Sequence, residues 1–452
     1  MAQSGGGGAL NRYMASTEAQ EQYLNSFRER RSRSSAQNPA WLNELREAGM
    51  ASFASLGFPT TKAEDWKYTN LEPIAAFKFS RPNGVRKQFS ARKLLAKGFA
   101  APDCARLVFL NGVYVPELAS LDRLPEGVRL QSLAELIKGD DEFLAMQLGR
   151  YASYRRQSLV ALNTAFIADG AVLVVPPGCR FAEPIHLIYA SGADGEQLAT
   201  HPRTLIFLGR GSEAKIIESY IGITDESYFC NAVTELIAEP DSVAEHCRVQ
   251  REGEAGFHTG TFEAKLARGA HLVAHAVTLA GSLVRNDVHV SLDGEGAECV
   301  LNGLYLGSGR QHIDNSTVIE HVKPRASSFE LYKGILNGAA HGVFNGKIVV
   351  HKDAQKSDAR QVNKNLLLSD DAVVNTKPQL EIHADDVKCS HGSTIGQIDP
   401  DALFYFRSRG LGLAEARRLL SSAFAADVVG RIKVASLRQR LEEYILEKFR
   451  EI

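Results

Sequence analysis

Residues 271–307 read HLVAHAVTLAGSLVRNDVHVSLDGEGAECVLNGLYLG. The run breaks into segments of alternating or β-branched residues bounded by Gly, Asn and Asp, each with the length and chemistry of a strand that ends in a turn. The same texture extends in both directions. Upstream, back to Ile167, lie AVLVVPPG, PIHLIYA, TLIFLG, AKIIESY and AVTELIA. Downstream come STVIEHV, SSFELYKGIL, GVFNGKIVVH, QLEIHADDV and CSHGSTIGQI. In this second half the runs recur at intervals of roughly a dozen to eighteen residues, with no helix between them. So long an all-strand region folds as a sandwich, a barrel or a stacked solenoid. The scarcity of clean paired hairpins favours a solenoid, in which successive coils stack their strands in parallel. Periodicity by itself does not decide among them.

Both flanks read as helical, so the chain divides into a mostly helical N-terminal region with a short hairpin (1–165), a β-core (166–398) and a C-terminal helical unit (399–452). In the first region Ser16 is a candidate N-cap for the polar run that follows. A second helix has Asn38 as cap, Pro39 at its first position and Gly57 with Pro59 as its stop. Trp41, Leu42, Leu45, Met50 and Phe53 fall on one face of it and read as core. Asn111-Gly112 in ARLVFLNGVYVPEL marks a hairpin, and a further helix is expected from about Asp141 to Asn163. At the other end Asp399 and Pro400 open a helix that stops at Gly410. Leu419, Leu420, Ala423, Phe424 and Val428 form one stripe of the next helix, and Leu437, Leu441, Ile445 and Phe449 one stripe of the last. Helices this short need partners for these faces, either one another, the β-core or a second protein.

At 452 residues, 44% hydrophobic and 23% charged, the composition is that of a soluble globular protein with a large core. A formal net charge of −1 gives no general attraction to nucleic acid or anionic lipid. No apolar run approaches the ~20 residues of a membrane span. The N-terminal MAQSGGGGALNRYMAS lacks a secretory h-region, and its glycines read as a loose leader. Six cysteines (Cys104, Cys179, Cys230, Cys247, Cys299 and Cys389) are scattered without a C-x-x-C pair. That argues against a disulfide framework and a closed structural zinc site, and fits a reducing cytoplasm.

No P-loop is present. GVFNGKI at 342–348 is one residue short between its glycines, and Gly334, Gly338, Gly342 and Gly346 read as turn residues. His271 and His275 would share a strand face about 13 Å apart, too far for one ion. The stretch ADDVKCSHGSTIGQID (384–399) holds the one promising pair. As continuous strand it would place Glu381, His383, Asp385, Val387, Cys389 and His391 on one face. Cys389 and His391, about 6.6 Å apart, could close on a metal. Two ligands leave the shell incomplete, and as nucleophile and base they lack an orienting group and an oxyanion hole. Three readings stand: ordinary strand residues, a stand-alone β-fold metalloenzyme using His383, Cys389 and His391, and a half-site completed by a second chain.

The sequence resembles the SufB/SufD family of subunits of the SUF iron–sulfur cluster assembly machinery, and its SufD branch more closely than SufB. GFPTTKAEDWKYTN (57–70) and the long stretch from RNDVHVSLDGEGAECVLNGLYLG through KPQLEIHADDVKCSHGSTIGQIDPDALFYFRSRG (285–410) carry the likeness. It implies a mainly β fold, a right-handed parallel β-helix core flanked by N-terminal and C-terminal helical regions. A non-catalytic scaffold is implied, pairing with SufB through the β-helix and holding the ATPase SufC through its C-terminal helices. The histidine of KCSHG, here His391, is implied as an interface residue and metal ligand shared with SufB, while Cys389 matches the motif with its thiolate role attributed to the partner. No cofactor is expected to be held tightly by the chain alone; iron or a nascent cluster would be shared with SufB.

Overall fold

The computed structural model describes residues 6–34, 38–75, 90–101, 104–192 and 197–450. The first five residues of the leader lie outside these. From Gly6 onward the leader is already helical: α1 spans Gly6–Ser34, so Ser16 lies inside a helix and does not cap one. Ala, Leu, Arg and Met between positions 9 and 14 are good helix formers, and extending a formed helix costs far less than starting one. Helix α2 (Ala40–Leu56) takes Pro39 as its N-cap, one position later than expected, and stops at Gly57 with φ 63°. The short α3 (Glu72–Ala75) and α4 (Ala91–Lys97) follow.

Strands β1 (Ala105–Leu110) and β2 (Val113–Tyr114) form the expected hairpin. Asn111 and Gly112 both take positive φ, 51° and 73°, as the two-residue turn that matches strand twist requires. Next come β3 (Arg129–Ser132), α5 (Leu133–Lys138), α6 (Glu142–Gln147) and α7 (Ser158–Ala165). The single helix expected over 141–163 is therefore two. Between them Gly149 turns to φ 74°, and the amides of Gly149, Tyr151 and Ala152 all donate to the buried Glu235 carboxylate. A distant carboxylate satisfies amides that a helix would have satisfied, and sequence periodicity carries no sign of it.

Seventeen strands then run to Gly396. They are β4 (Ala171–Val175), β5 (Ile185–Ser191), β6 (Leu198–Thr200), β7 (Arg203–Leu208), β8 (Glu213–Gly222), β9 (Tyr228–Ala238), β10 (Val243–Arg251), β11 (Phe257–Leu266) and β12 (His271–Ala280). They continue as β13 (Leu283–Leu292), β14 (Glu298–Gly307), β15 (His312–His321), β16 (Ser327–Leu336), β17 (His341–Val350), β18 (Asp358–Leu367), β19 (Val373–Ile382) and β20 (Lys388–Gly396). Consecutive strands do not pair. One sheet has the order β2-β1-β5-β8-β10-β12-β14-β16-β18-β20, the other β19-β17-β15-β13-β11-β9-β7-β4-β3. From β5 on, neighbours are parallel and stack residue on residue, His271 on Glu298, Glu298 on Ser327, Ser327 on Asp358 and Asp358 on Lys388. This is a parallel β-solenoid of about eight turns. The hairpin β1–β2 belongs to it, because β1 pairs in parallel with β5.

A corner residue with positive φ precedes each first-sheet strand from β8 to β18: Gly211, Asp241, Gly269, Gly296, Arg325 and Lys356. Each donates its amide to the same corner of the next coil, ending with Lys356 to Asp386. These inter-coil bonds offset the cost of the left-handed conformation where the residue is not glycine. Of the four glycines expected in turns only Gly338 is one. Gly334, Gly342 and Gly346 lie inside β16 and β17, where an added Cβ would sit 2.3 Å from the Tyr305 ring at Gly334 and 2.1 Å from Gln361 at Gly346. They make room for large side chains of the lumen.

Two helical layers lie on the sheets. The segment after α2 crosses the second sheet: Arg285 of β13 lies 3.8 Å from the centre of the Trp66 ring and donates to the Asp65 carbonyl at 2.9 Å. The Thr69 hydroxyl donates to Asp314 at 2.5 Å, and Lys377 of β19 pairs with Glu64. EDWKYTN is thus a strap that reaches β13, β15 and β19. On the first sheet α9 (Leu413–Val429) and α10 (Ala435–Lys448) share a core with Val249, Val277, Leu279, Leu304 and Ile335, while α8 (Pro400–Ser408) buries no residue. The α10 stripe Leu437, Leu441, Ile445 and Phe449 is buried as expected. In α9 the buried face is Ala416, Ser421, Ala425, Val428 and Val429, a rotation away from Leu419 and Leu420. Small residues let that helix sit close on the sheet.

Candidate functional site

The two ends of the solenoid are unlike. At the N-terminal end β2 and β3 close the coil in antiparallel fashion, and Phe109, Val128 and Leu130 seal its lumen. At the C-terminal end β19 pairs only with β17 and β20 only with β18 within their sheets. No residue of either terminal strand is fully buried, and Val373, Ile382 and Ile395 are 50%, 41% and 47% exposed. Such a coil end presents unpaired backbone groups along two parallel edges, a template for another chain.

Cys389 and His391 sit on this end. Register places Cys389 against Ala359 and His391 against Gln361. Ala359 belongs to the lumen core and Gln361 donates to Glu330 inside it, so the pair shares the lumen-facing side of β20. Cys389 packs partly against that core, whereas His391 is exposed. Two residues on, the Ser393 hydroxyl donates to Thr376 of β19 at 3.0 Å, tying the mouth across the two sheets. Gly392 and Gly396 have open space where a side chain would stand, so a partner backbone can approach there.

The stretch is not continuous strand. β19 ends at Ile382, a bend at Asp385-Asp386 turns the corner, and β20 begins at Lys388. His383 lies before that corner, its amide donating to the Val350 carbonyl, and the structure does not bring it to the Cys389–His391 face. Among the described residues no group of three ligating atoms includes His383, Cys389 or His391. Burial, with the Asp358 carboxylate beside it, pushes the Cys389 thiol above its ordinary range, so it is not a primed nucleophile. What the open end offers is an exposed imidazole with a half-buried thiol beside it, an incomplete set with room for ligands from outside.

Sequence reading missed two other constellations. Stacking sets Cys230 beside His258 and Cys247 beside His275, each pair one coil apart. With Glu252 and Glu245 they form two buried groups of three ligating side chains. All six cysteines are free. A coil-length spacing between Cys and His was the only available signal, and its length varies from coil to coil.

Comparison with known proteins completes the description. Residues 190–424 match the SufBD core domain of SUF system FeS cluster assembly, and residues 17–187 match the SufBD protein N-terminal region. An iron–sulfur cluster assembly SufBD family protein of Synechocystis is 32% identical over 97% of both chains. The iron–sulfur cluster assembly protein SufD of Escherichia coli is 31% identical over 94% of this chain and 96% of its own. SufD of Bacillus subtilis is 24% identical over 95% of this chain and 97% of its own.

Proposed function

This chain belongs to the SufBD family of iron–sulfur cluster assembly proteins, and from that premise we propose that its uncapped coil end is one half of a shared assembly site. A role in iron–sulfur cluster assembly follows from the family. The finer reading is that the chain is a scaffold subunit. It pairs with SufB through the edges of β19 and β20, and SufC, held by the C-terminal helices, supplies ATP hydrolysis. His391 then presents its imidazole toward SufB as a ligand or proton acceptor, and the main thiolate comes from the partner. The observation that carries this is the asymmetry of the solenoid: one end sealed, the other open, with His391 and Cys389 at the open mouth.

The test is His391→Ala in the co-expressed complex. Because His391 is exposed on a terminal strand, its loss opens no cavity and costs about 1 kcal/mol or less. Assembly with SufB and SufC, followed by native mass spectrometry, should be unchanged, while cluster reconstitution falls sharply. Cys389→Ala should be milder. Normal cluster building by His391→Ala would return the residue to being part of a strand.

A further inference from the structure

On the outer side of the first sheet, away from the open end, Glu245 and Cys247 of β10 lie next to His275 of β12. A carboxylate oxygen, the sulfur and a ring nitrogen all lie within 4.8 Å of one another, and all three residues are buried. His275 is 1% exposed, yet neither ring nitrogen has a hydrogen-bond partner. Its Nε2 is 3.6 Å from Glu245 Oε1, beyond hydrogen-bond reach, and Glu245 Oε2 is also unpartnered. A buried imidazole with two idle nitrogens beside a half-idle carboxylate is costly, and such groups in native proteins point to an ion or water.

We propose that Glu245, Cys247 and His275 bind a borderline divalent transition cation of the zinc or ferrous class. The mixed sulfur, nitrogen and oxygen donors select that class over calcium or magnesium. Three atoms no more than 4.8 Å apart share a point within about 2.8 Å of each, so shifts of about 0.5–0.8 Å reach ligand distances of about 2.0–2.3 Å. Binding requires the thiol to lose its proton to solvent, the sulfur pair then going to the metal. Three protein ligands leave a fourth position free. The connector between α9 and α10 closes the site: the Lys433 amide donates to Glu245 Oε1 at 2.6 Å, and Ile432 and Val434 join the core that contains Cys247. A bound cation therefore pins the C-terminal helices to the solenoid. This departs from the expectation that the chain alone holds no cofactor tightly.

Anaerobic titration of the reduced full-length chain with Co²⁺ tests it. Wild type should take up cobalt with a thiolate-to-cobalt charge-transfer band, and binding should slow proteolysis at the connector. Cys247→Ser should lose the band, and His275→Gln should weaken binding by more than about tenfold. Cys230→Ser and the double variant His391→Ala, Cys389→Ala should keep it. A band that survives Cys247→Ser, or that disappears with Cys230 or Cys389 instead, overturns the site while leaving the open-end reading untouched. Should the Cys247 or His275 variants fail to fold, X-ray absorption of zinc-loaded wild type decides: a shell with a single sulfur is expected, and a sulfur-free shell refutes it.

Discussion

Glu330 shows how far a single lumen residue departs from its exposed chemistry. It lies on β16 with its side chain inside the solenoid, fully buried, and accepts from Gln361 at 2.6 Å. Burial pushes its carboxyl from 4.5 up to about 7, against the opposing pull of the Gln361 hydrogen bond. Below about 4.5 the group is protonated in both states. Between 4.5 and about 7 the unfolded chain ionises while the folded chain keeps its proton, so unfolding releases a proton and stability falls as pH rises through that window. The loss is on the order of 3 kcal/mol. Glu330→Gln keeps the shape without the charge. Its urea midpoint should gain on wild type at pH 8 and show little or no gain at pH 5; equal shifts at both would refute the assignment. Histidine behaves in the opposite sense on the outer face. Desolvation works against the charged form of His289, but the hydrogen bond with Glu263 and the ion pair with Glu320 outweigh it and push its value up to about 10. That stabilisation is complete below about pH 6.5 and is lost as pH rises toward 10. His289→Gln should therefore destabilise most near pH 6.5 and progressively less toward pH 10, as denaturant midpoints across that range will show.

Elements were legible where local chemistry decides them. Asn111-Gly112 gives its turn, Asp399 caps α8 through the Asp401 amide, and the α10 stripe is buried where periodicity places it. Tertiary partners decided the rest. Glu235 breaks the helix after Gln147, and α9 turns its small residues inward. What holds α9 down was equally hidden: Lys333 of β16, almost fully buried, pairs with Asp427 at 2.8 Å and sits 4.2 Å from the centre of the Phe424 ring. Helix α8 is different in kind. Phe404 and Tyr405 are 73% and 54% exposed, an apolar pair on a helix that buries nothing of its own. If the C-terminal helices hold SufC as proposed, this pair is the surface they offer it. The double substitution Phe404→Ser, Tyr405→Ser should leave stability within about 0.5 kcal/mol, since both side chains are mostly exposed and the Tyr405 ring meets only its near neighbours Phe406 and Arg409 among the ring contacts seen. Co-purification of SufC should fail while SufB is retained; undiminished SufC recovery would move the docking surface elsewhere.

For the whole molecule, strand texture was readable because every coil repeats it, but the stacking partner of each residue was not, because coils differ in length. Thus KCSHG could be picked out, while the pairing of Cys247 with His275 waited for three dimensions. The same limit applies to the C-terminal unit, whose stripes announced partners without naming them. Those partners are the outer face of the first sheet. Ile217, Val249, Val277, Leu279, Leu304, Leu306, Leu331 and Ile335 lie in one core with α9 and α10. Each such side chain, fully buried, contributes about 1.5–3 kcal/mol relative to exposure, and together they match or exceed the ~5–15 kcal/mol of a typical domain's net stability. Cutting the chain after Ile398 therefore does more than remove the proposed docking helices; it uncovers an apolar sheet face. The truncated chain should bind a hydrophobic dye, self-associate in size-exclusion chromatography and unfold well below the intact protein. A truncated chain that stays monomeric with unchanged melting would show that the helices cover the sheet without supporting it. Otherwise its loss of SufC reports a damaged solenoid, and only the surface substitutions on α8 separate docking from folding.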